Sequence, residues 1–250
     1  MPELPDLAVM ARNLNKKLHG KTVKHLQLHV AKKTTATEEE LFASLIGRSL
    51  NSVVREGKEL RLFFGENVLG LHLMLHGKLK LTDGDAPKFT IFHLSFGTES
   101  LYLTDFQNQA RPILNPQPST IPDALEITQD QFSNLLSKKK TDIKTVLLDQ
   151  KNIRGIGNAY ADEILYEAGI APQSVACKVP SGQLFTAMVN VLESAIEQIS
   201  KADPERLTGE NRDFMKVHLP KTEKTKKGET IIIDKRGSRK SYYVSSQKVF

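Results

Sequence analysis

The spacing of apolar residues changes several times along the chain, and each change predicts an element. Leu7, Met10, Ala11, Leu14 and Leu18 recur every three to four positions, which predicts a helix over 5–18 with Pro5 in its first turn. Leu26, Leu28 and Val30 alternate as in a strand. Thr37 followed by Glu40 is a capping-box pattern, opening a short helix through Leu41 and Leu45 that Gly47 stops. From about 50 to 104 the runs are short and β-prone: Val53-Val54, Leu60 to Phe64, Val68 to Leu75, Leu79 to Leu81, Phe89 to Phe96 and Leu101 to Leu103. Gly, Asp and Asn punctuate them, a pattern that predicts an antiparallel sandwich or flattened barrel.

Pro112, Pro116, Pro118 and Pro122 then predict a connector, after which the period becomes helical. Thr128 caps a helix through Leu136, Asp142 begins another near Val146 to Leu148, and 158–168 and 181–200 read as two more. Thr230 to Ile233 and Ser241 to Val244 flank Lys235-Arg236-Gly237 and predict a hairpin. The expected fold is α+β: a sandwich domain over 1–111, a Pro-rich linker over 112–125, a helical domain over 126–214 and a basic hairpin segment over 215–250.

Charge sharpens this division. Residues 215–250 hold ten Lys and Arg against three Asp and Glu, a net of +7, which leaves the other 214 residues at −1. A basic excess confined to one segment suits a phosphate-binding module rather than a generally basic surface. Hydrophobic content of 39% and charged content of 26% are those of a soluble globular chain. With no apolar run long enough for a membrane span and no leader pattern, the expected location is the cytoplasm, at the nucleoid, with no membrane partner. Cys177, the single cysteine, excludes an internal disulfide and a cysteine-built zinc site within one chain.

The opening residues Met1-Pro2-Glu3-Leu4-Pro5-Asp6 carry the most chemistry. A small second residue lets the initiator methionine be removed, and Pro2 would then bear a secondary amine with a pKa near roughly 7.7–8.0. Such an amine attacks a sugar aldehyde carbon to give an iminium, and Glu3 beside it can shuttle the proton. Residues 152–163, Asn-Ile-Arg-Gly-Ile-Gly-Asn-Ala-Tyr-Ala-Asp-Glu, place two glycines just ahead of a helix. The free N–H groups of that helix start suit an anion, with Asn158 either capping the helix or reaching a phosphate. Taken singly, Lys58 is an ordinary solvated lysine, His72 a strand histidine and Arg239 one surface cation among many.

Together, Pro2 to Pro5, Gly57-Lys58, His72 with Gly77, Thr104-Asp105, Lys140 to Glu163 and Arg239 to Tyr243 occur in an order and spacing that resembles the formamidopyrimidine-DNA glycosylase/endonuclease VIII family along essentially the whole chain. The resemblance implies an N-terminal β-sandwich, a helix–two-turn–helix domain and a C-terminal β-hairpin finger, with DNA running in the cleft between the halves. It implies a bifunctional DNA glycosylase/AP lyase of base excision repair, working as a monomer on damaged double- or single-stranded DNA without a cofactor. By that resemblance Pro2 attacks C1′ of the damaged nucleoside and Glu3 protonates the sugar oxygen. Lys58 assists the first elimination and Arg239 the second. Asn158, Lys140, Lys88 and the finger grip phosphates, His72 sits close to the lesion sugar, and Leu75 stands where the family places a void-filling methionine.

Three departures bear on that reading. The family's finger holds zinc through four cysteines; here Lys224 and Lys227 stand at the first pair, and Val244 and Ser245-Ser246 in the second region, so a zincless finger is expected. The family's Arg and Phe wedge is replaced by Gln107 and Gln109, leaving Phe106 or Arg111 as substitutes. The stretch from Phe214 to Lys221 is too short for the loop that caps flipped 8-oxoguanine, so weak excision of that base is expected, with better action on ring-opened purines, oxidised pyrimidines, abasic sites or single-stranded DNA. Two rival readings are a catalytically weak binder of damaged or kinked DNA and an RNA or ribosome binder; Pro2, Glu3 and Lys58 argue against the second.

Overall fold

The computed structural model describes every residue except Gly237 and Ser238, with Arg236 described through its backbone alone. The first helix, α1 (Leu4–Leu18), opens with Pro5 in its first turn and with the Asp6 carboxylate accepting the Glu3 N–H at 3.0 Å. Its apolar stripe of Leu7, Met10, Leu14 and Leu18 is fully buried, and each such side chain contributes about 1.5–3 kcal/mol on leaving water. Strand β1 (His25–Leu28) leads to α2 (Glu38–Leu45), which starts on the expected capping box. Thr37 Oγ1 accepts the Glu40 N–H at 3.2 Å and the Glu40 carboxylate accepts the Thr37 N–H at 2.8 Å.

Seven further strands follow: β2 (Ser52–Glu56), β3 (Glu59–Phe64), β4 (Asn67–His72), β5 (Lys78–Thr82), β6 (Thr90–Ser95), β7 (Ser100–Thr104) and β8 (Arg111–Leu114). They form two four-stranded antiparallel sheets, ordered β1-β6-β7-β5 and β2-β3-β4-β8. Strand β3 shows the two-residue period directly: Leu60, Leu62 and Phe64 are buried while Glu59, Arg61 and Phe63 are not. Those side chains share one apolar core with α1 and with Leu79, Phe92, Leu94 and Leu103 of the other sheet.

Strand β8 departs from expectation. Pro112 was read as the start of a linker, yet it pairs with Leu71 in the sheet. The strand lies at the sheet edge, where a residue without an N–H costs no ladder bond. By packing, the first compact unit runs through Pro118 and also takes in residues 199–210. The reason is a strap of polar contacts to α1: Arg12 Nη2 donates to Ser200 Oγ at 2.9 Å, Asn13 Nδ2 to the Arg206 carbonyl at 2.9 Å, and Lys16 pairs with Glu205 at 3.4 Å.

The second unit contains α3 (Gln129–Ser137), capped by Thr128, α4 (Ile143–Leu148), α5 (Asn158–Glu167) and most of α6 (Ser181–Ala202). A hairpin of β9 (Ile231–Arg236) and β10 (Arg239–Val244) completes it, with Tyr242 opposite Ile233 and Val244 opposite Ile231. Gly237 of the expected turn lies outside the described residues. Val217, Ile231, Tyr242 and Val244 form the hairpin's own buried cluster.

Zinc does not fit the base of this hairpin. Lys224 and Lys227 present ammonium groups where the resemblance implies ligands, and Val244 is 1% exposed inside the apolar cluster. Hydrogen bonds occupy the corner instead. Ser246 and Tyr166 hydroxyls donate to the Glu229 carboxylate at 2.7 and 2.9 Å and hold its pKa below the usual range, while Thr225 Oγ1 accepts the Glu229 N–H at 3.3 Å. Among the described residues no group of three His, Cys, Asp or Glu is placed to hold a metal ion, and no helix is long and apolar enough to cross a membrane.

Candidate active site

In the first unit, a cavity of about 730 Å³ is lined by Pro2, Leu75, Lys88, Phe106, Gly209 and Glu210. Pro2 is buried at the start of α1, and Glu3 behind it is 5% exposed. The helix therefore fixes the first two residues against the core and leaves one wall of the cavity to Pro2. Lys88 is exposed on the same cavity.

The rim is unusually apolar for a surface. Leu75, Phe89 and Phe106 are 62%, 63% and 57% exposed, and all three line this one cavity. Leu75 is held out by a tight turn after β4. The Gly77 N–H donates to the Leu73 carbonyl at 2.8 Å, and a Cβ on Gly77 would lie 2.2 Å from that oxygen, so no other residue fits. The Phe106 ring packs on His76 with centroids 4.8 Å apart.

Phe106 belongs to a loop built on Asp105. The Asp105 carboxylate is 2% exposed and accepts N–H bonds from Gln107, Gln109 and Ala110 at 2.9, 2.8 and 2.9 Å. Burial alone would raise its pKa, but the three donors, with His76, hold it below the usual carboxylate range. Gln109 is tied back by Lys33 and by its own Nε2 bond to the Gln107 carbonyl at 3.1 Å. Gln109 is thus a loop fastener, and Phe106 is the aromatic group at the cavity.

His72 sits at the end of β4 opposite Arg111, with Nδ1 accepting the Met74 N–H at 3.1 Å. Burial first, then the charges of Arg111 and Lys58, push its pKa down from 6.5 to about 4, so the ring is neutral at pH 7 and its Nε2 carries the proton. That depression has a stability consequence. The unfolded chain takes up a proton as pH falls below about 6.5 and the folded one refuses it until about 4, so stability is complete above that window and is lost on descending through it. His72→Gln is expected to remove about 2 kcal/mol of the acid destabilisation between pH 7 and 4.5, after discounting for partial exposure, read from urea midpoints at the two pH values.

In the second unit the glycine motif is a clamp. Gly155 has φ +101, a conformation that L side chains rarely adopt, and its N–H donates to Gln150 Oε1 at 3.0 Å. Gln150 Nε2 in turn donates to the Leu148 and Ile156 carbonyls at 3.0 and 2.9 Å, fastening the turn between α4 and α5. Gly157, not Asn158, is the N-cap of α5; Asn158 is the first helical residue and its Nδ2 donates to the Lys240 carbonyl at 3.0 Å.

Lys144, which sequence reasoning passed over, lies at the centre of this arrangement. Its Nζ is 2.6 Å from Asp162 Oδ1 and donates to the Lys240 carbonyl and to Ser241 Oγ at 3.0 and 2.9 Å. Asp162 Oδ2 also meets His218 Nδ1 at 2.8 Å, and the His218 ring packs edge-on to Tyr242. Glu163, the next residue, accepts the N–H groups of Lys216, Val217 and His218 at 2.8, 2.8 and 2.7 Å. The Asp-Glu pair closing the motif therefore anchors the hairpin and the strand of chain leading to it. A sequence signal did exist: Lys144 is the one charged position inside the short apolar helix Ile143–Leu148.

Arg239 is exposed and shares a cavity of about 700 Å³ with Asp142, Lys144, Gln173 and Ser241. Lys140 is exposed on the segment before α4 and does not line it. Each unit thus carries its own set: Pro2, Glu3, Lys58, His72, Leu75 and Lys88 in the first, Asn158, Arg239 and Lys140 in the second.

Residues 1–111 match the family described as formamidopyrimidine-DNA glycosylase N-terminal domain, and residues 118–204 match the formamidopyrimidine-DNA glycosylase H2TH domain. A formamidopyrimidine-DNA glycosylase of Carboxydothermus hydrogenoformans is 31% identical over 224 residues, covering 85% of this chain and 84% of its own length. One from Bacillus subtilis is 31% identical over 216 residues, covering 79% and 78%. The fold is shared with the Lactococcus lactis Fpg solved in complex with DNA containing an abasic site, at a TM-score of 0.86, 24% identity, and coverage of 97% of this chain and 98% of that one.

Proposed function

This chain belongs to the formamidopyrimidine-DNA glycosylase family, and we propose that Pro2 is the nucleophile with which it works. It is a DNA glycosylase of base excision repair with an associated AP lyase activity, and its partner is damaged DNA. After removal of Met1, the Pro2 nitrogen bonds to C1′ while the glycosidic electron pair leaves with the damaged base. Opening of the sugar ring gives a cationic iminium, and Glu3 delivers the proton that the ring oxygen takes up. The iminium acidifies C2′, so elimination expels the 3′ phosphate with Lys58 assisting; Arg239 serves the second elimination. His72, neutral with a proton on Nε2, is a hydrogen-bond donor suited to a sugar oxygen. Lys88, Asn158 and Lys140 contact phosphates, so affinity falls steeply with salt.

The observation that carries this reading is Pro2 held by α1 on the wall of an open cavity, with a buried carboxylate, Glu3, as its neighbour. The test is borohydride reduction of processed protein on an oligonucleotide with one abasic site, which is expected to give a covalent adduct and a nicked strand. Salt-sensitive binding with neither product would leave the weak-binder reading in its place.

Leu75, at the place of the family's void-filling methionine, and Phe106, in place of its Arg and Phe, supply the wedge that fills the gap behind a flipped base. Their exposure on the cavity rim supports this, as does the bracing of Phe106 by His76. Base–aromatic stacking is worth about 1–3 kcal/mol, so Phe106→Ala is expected to slow base release from duplex about tenfold. Single-stranded substrate, which has no gap to fill, should change far less; equal losses on both would remove the wedge role. The finger works without metal, a reading supported by its hydrogen-bonded and apolar base. The stretch from Phe214 to Lys221, whose backbone Glu163 holds at Lys216 to His218, is too short for an 8-oxoguanine-capping loop, which supports weak action on that lesion and better action on ring-opened purines and oxidised pyrimidines. The expected setting is the nucleoid, as a monomer.

A further inference from the structure

The strap formed by residues 199–210 ends at the N-terminus, and its last residue faces the place where the nucleophile is made. The Met1 ammonium pairs with the Glu210 carboxylate, and Pro2, Gly209 and Glu210 line the same cavity. Consecutive backbone nitrogens are roughly 3 Å apart. Once Met1 is gone, the new terminal nitrogen, that of Pro2, is therefore within reach of the carboxylate that held the old one. Nothing in the sequence pattern singles out Glu210: it lies more than two hundred positions from Pro2 and outside every motif. Only the strap, tied along α1 at Ser200, Glu205 and Arg206, brings it there.

We propose that Glu210 is a positioning residue for the reaction, holding and orienting the Pro2 nitrogen through an ion pair in the processed chain. This rests on the reading of Pro2 as the nucleophile. A proline at the chain start retains a rotatable ψ, so its nitrogen needs a partner to keep it aimed at the cavity. Glu210 supplies that partner and, as an anion beside a cation, favours the protonated resting amine. Attack requires that proton to be lost first, so the pair also sets the pH at which the nucleophile becomes competent.

The other charged groups around the cavity are His76 after β4, Lys78 on β5, Lys88 before β6 and Asp105 after β7. Glu3 and Asp6 lie buried at the start of α1, and Lys58 sits on the turn between β2 and β3. Asp105 is engaged by three backbone N–H groups of its own loop. The cations oppose Glu210 by favouring the neutral amine. They stay in place in a Glu210 variant, so the difference between variant and parent isolates the carboxylate.

The experiment uses the full processed chain, checked by intact mass, as wild type, Glu210→Gln and Glu210→Asp. The Pro2 nitrogen is titrated by NMR of carbon-13 proline, and the rate of borohydride trapping on abasic DNA is followed against pH. For Glu210→Gln the Pro2 midpoint and the acid limb of the trapping profile are both expected to move to lower pH by about half a unit, the size of a partly exposed ion pair. The plateau rate above the midpoint is expected to fall several-fold, because the N–H of the neutral Pro2 amine loses the carboxylate it donates to and its aim with it, and Glu210→Asp is expected to restore the midpoint in part. An unchanged midpoint and acid limb in Glu210→Gln, with the wild type trapping normally, would overturn the assignment alone. Failure of the processed wild type to trap at any pH would instead overturn the Pro2 reading and the role of Glu210 with it.

Discussion

Protein that keeps any residue ahead of Pro2 is expected to bind abasic DNA yet give no borohydride-trapped adduct, while processed protein gives one. With Met1 attached, the Pro2 nitrogen is a tertiary amide whose lone pair is delocalised into the carbonyl, so it is not a nucleophile. On the proposed reading, phosphate contacts survive that change, because Lys88, Lys140 and Asn158 make them through side chains that Met1 does not alter. An uncleavable N-terminal extension thus separates grip from chemistry, and intact mass read beside the trapping gel decides which form is present. Pro2→Gly is the finer variant. It keeps a terminal amine but loses the ring that restricts φ and the secondary nitrogen whose imine is cationic without further protonation. Misplacement of the attacking atom by about 1 Å costs on the order of a hundredfold, so trapping is expected to fall by about that factor. An adduct from the extended protein, or an undiminished one from Pro2→Gly, would end the assignment.

The second large effect belongs to a residue with no part in the bond-making steps. Lys144→Ala is expected to destabilise the protein by about 3–5 kcal/mol, the range for removing one member of a buried pair. The side chains of Lys144 and Asp162 are 7% and 0% exposed, so the carboxylate left behind has little water to turn to. The Lys240 carbonyl and Ser241 hydroxyl lose their donor in the same stroke. Since those two groups lie on β10, the hairpin is expected to loosen first, and DNA affinity to fall with it. The double variant Lys144→Met, Asp162→Leu should recover much of the stability, because replacing both charges removes the desolvation cost along with the attraction. Urea midpoints for the single and double variants, with binding measured on each, check this. A single variant as stable as the parent would show that the pair contributes nothing.

Both results bear on how the two units divide the labour. On the proposed reading, the sandwich unit sets Pro2 in a cavity rimmed by apolar side chains, and the helical unit offers phosphates a glycine-rich clamp and a basic hairpin. The acid sensitivity predicted for His72 and the wedge role proposed for Phe106 belong to the first. In the second, the two carboxylates of Asp162-Glu163 have separate partners: Asp162 pairs with Lys144, and Glu163 holds the backbone of Lys216 to His218.

Much of this was legible in the amino-acid order, for a local reason. Helix periods, the Thr37 and Thr128 caps, the alternation in β3 and the glycine at 155 are decided by neighbours a few residues away. So are the elements that carry Pro2, Glu3 and Asn158, and the family resemblance rests on those short motifs. What only the tertiary structure decided involves partners far apart in sequence. Pro112 looked like a breaker and proved to be an edge strand, because the edge needs no N–H from it. The strap at 199–210 looked like the end of a helical domain and was drawn to α1 by polar pairs that no local pattern records. Lys144 drew no reading from sequence, and the fold encloses it with Asp162 and the hairpin carbonyl; Glu210 meets the N-terminus only because the fold returns the chain to its own beginning. Local sequence determines which element forms; long-range burial and charge pairing determine what each side chain meets there.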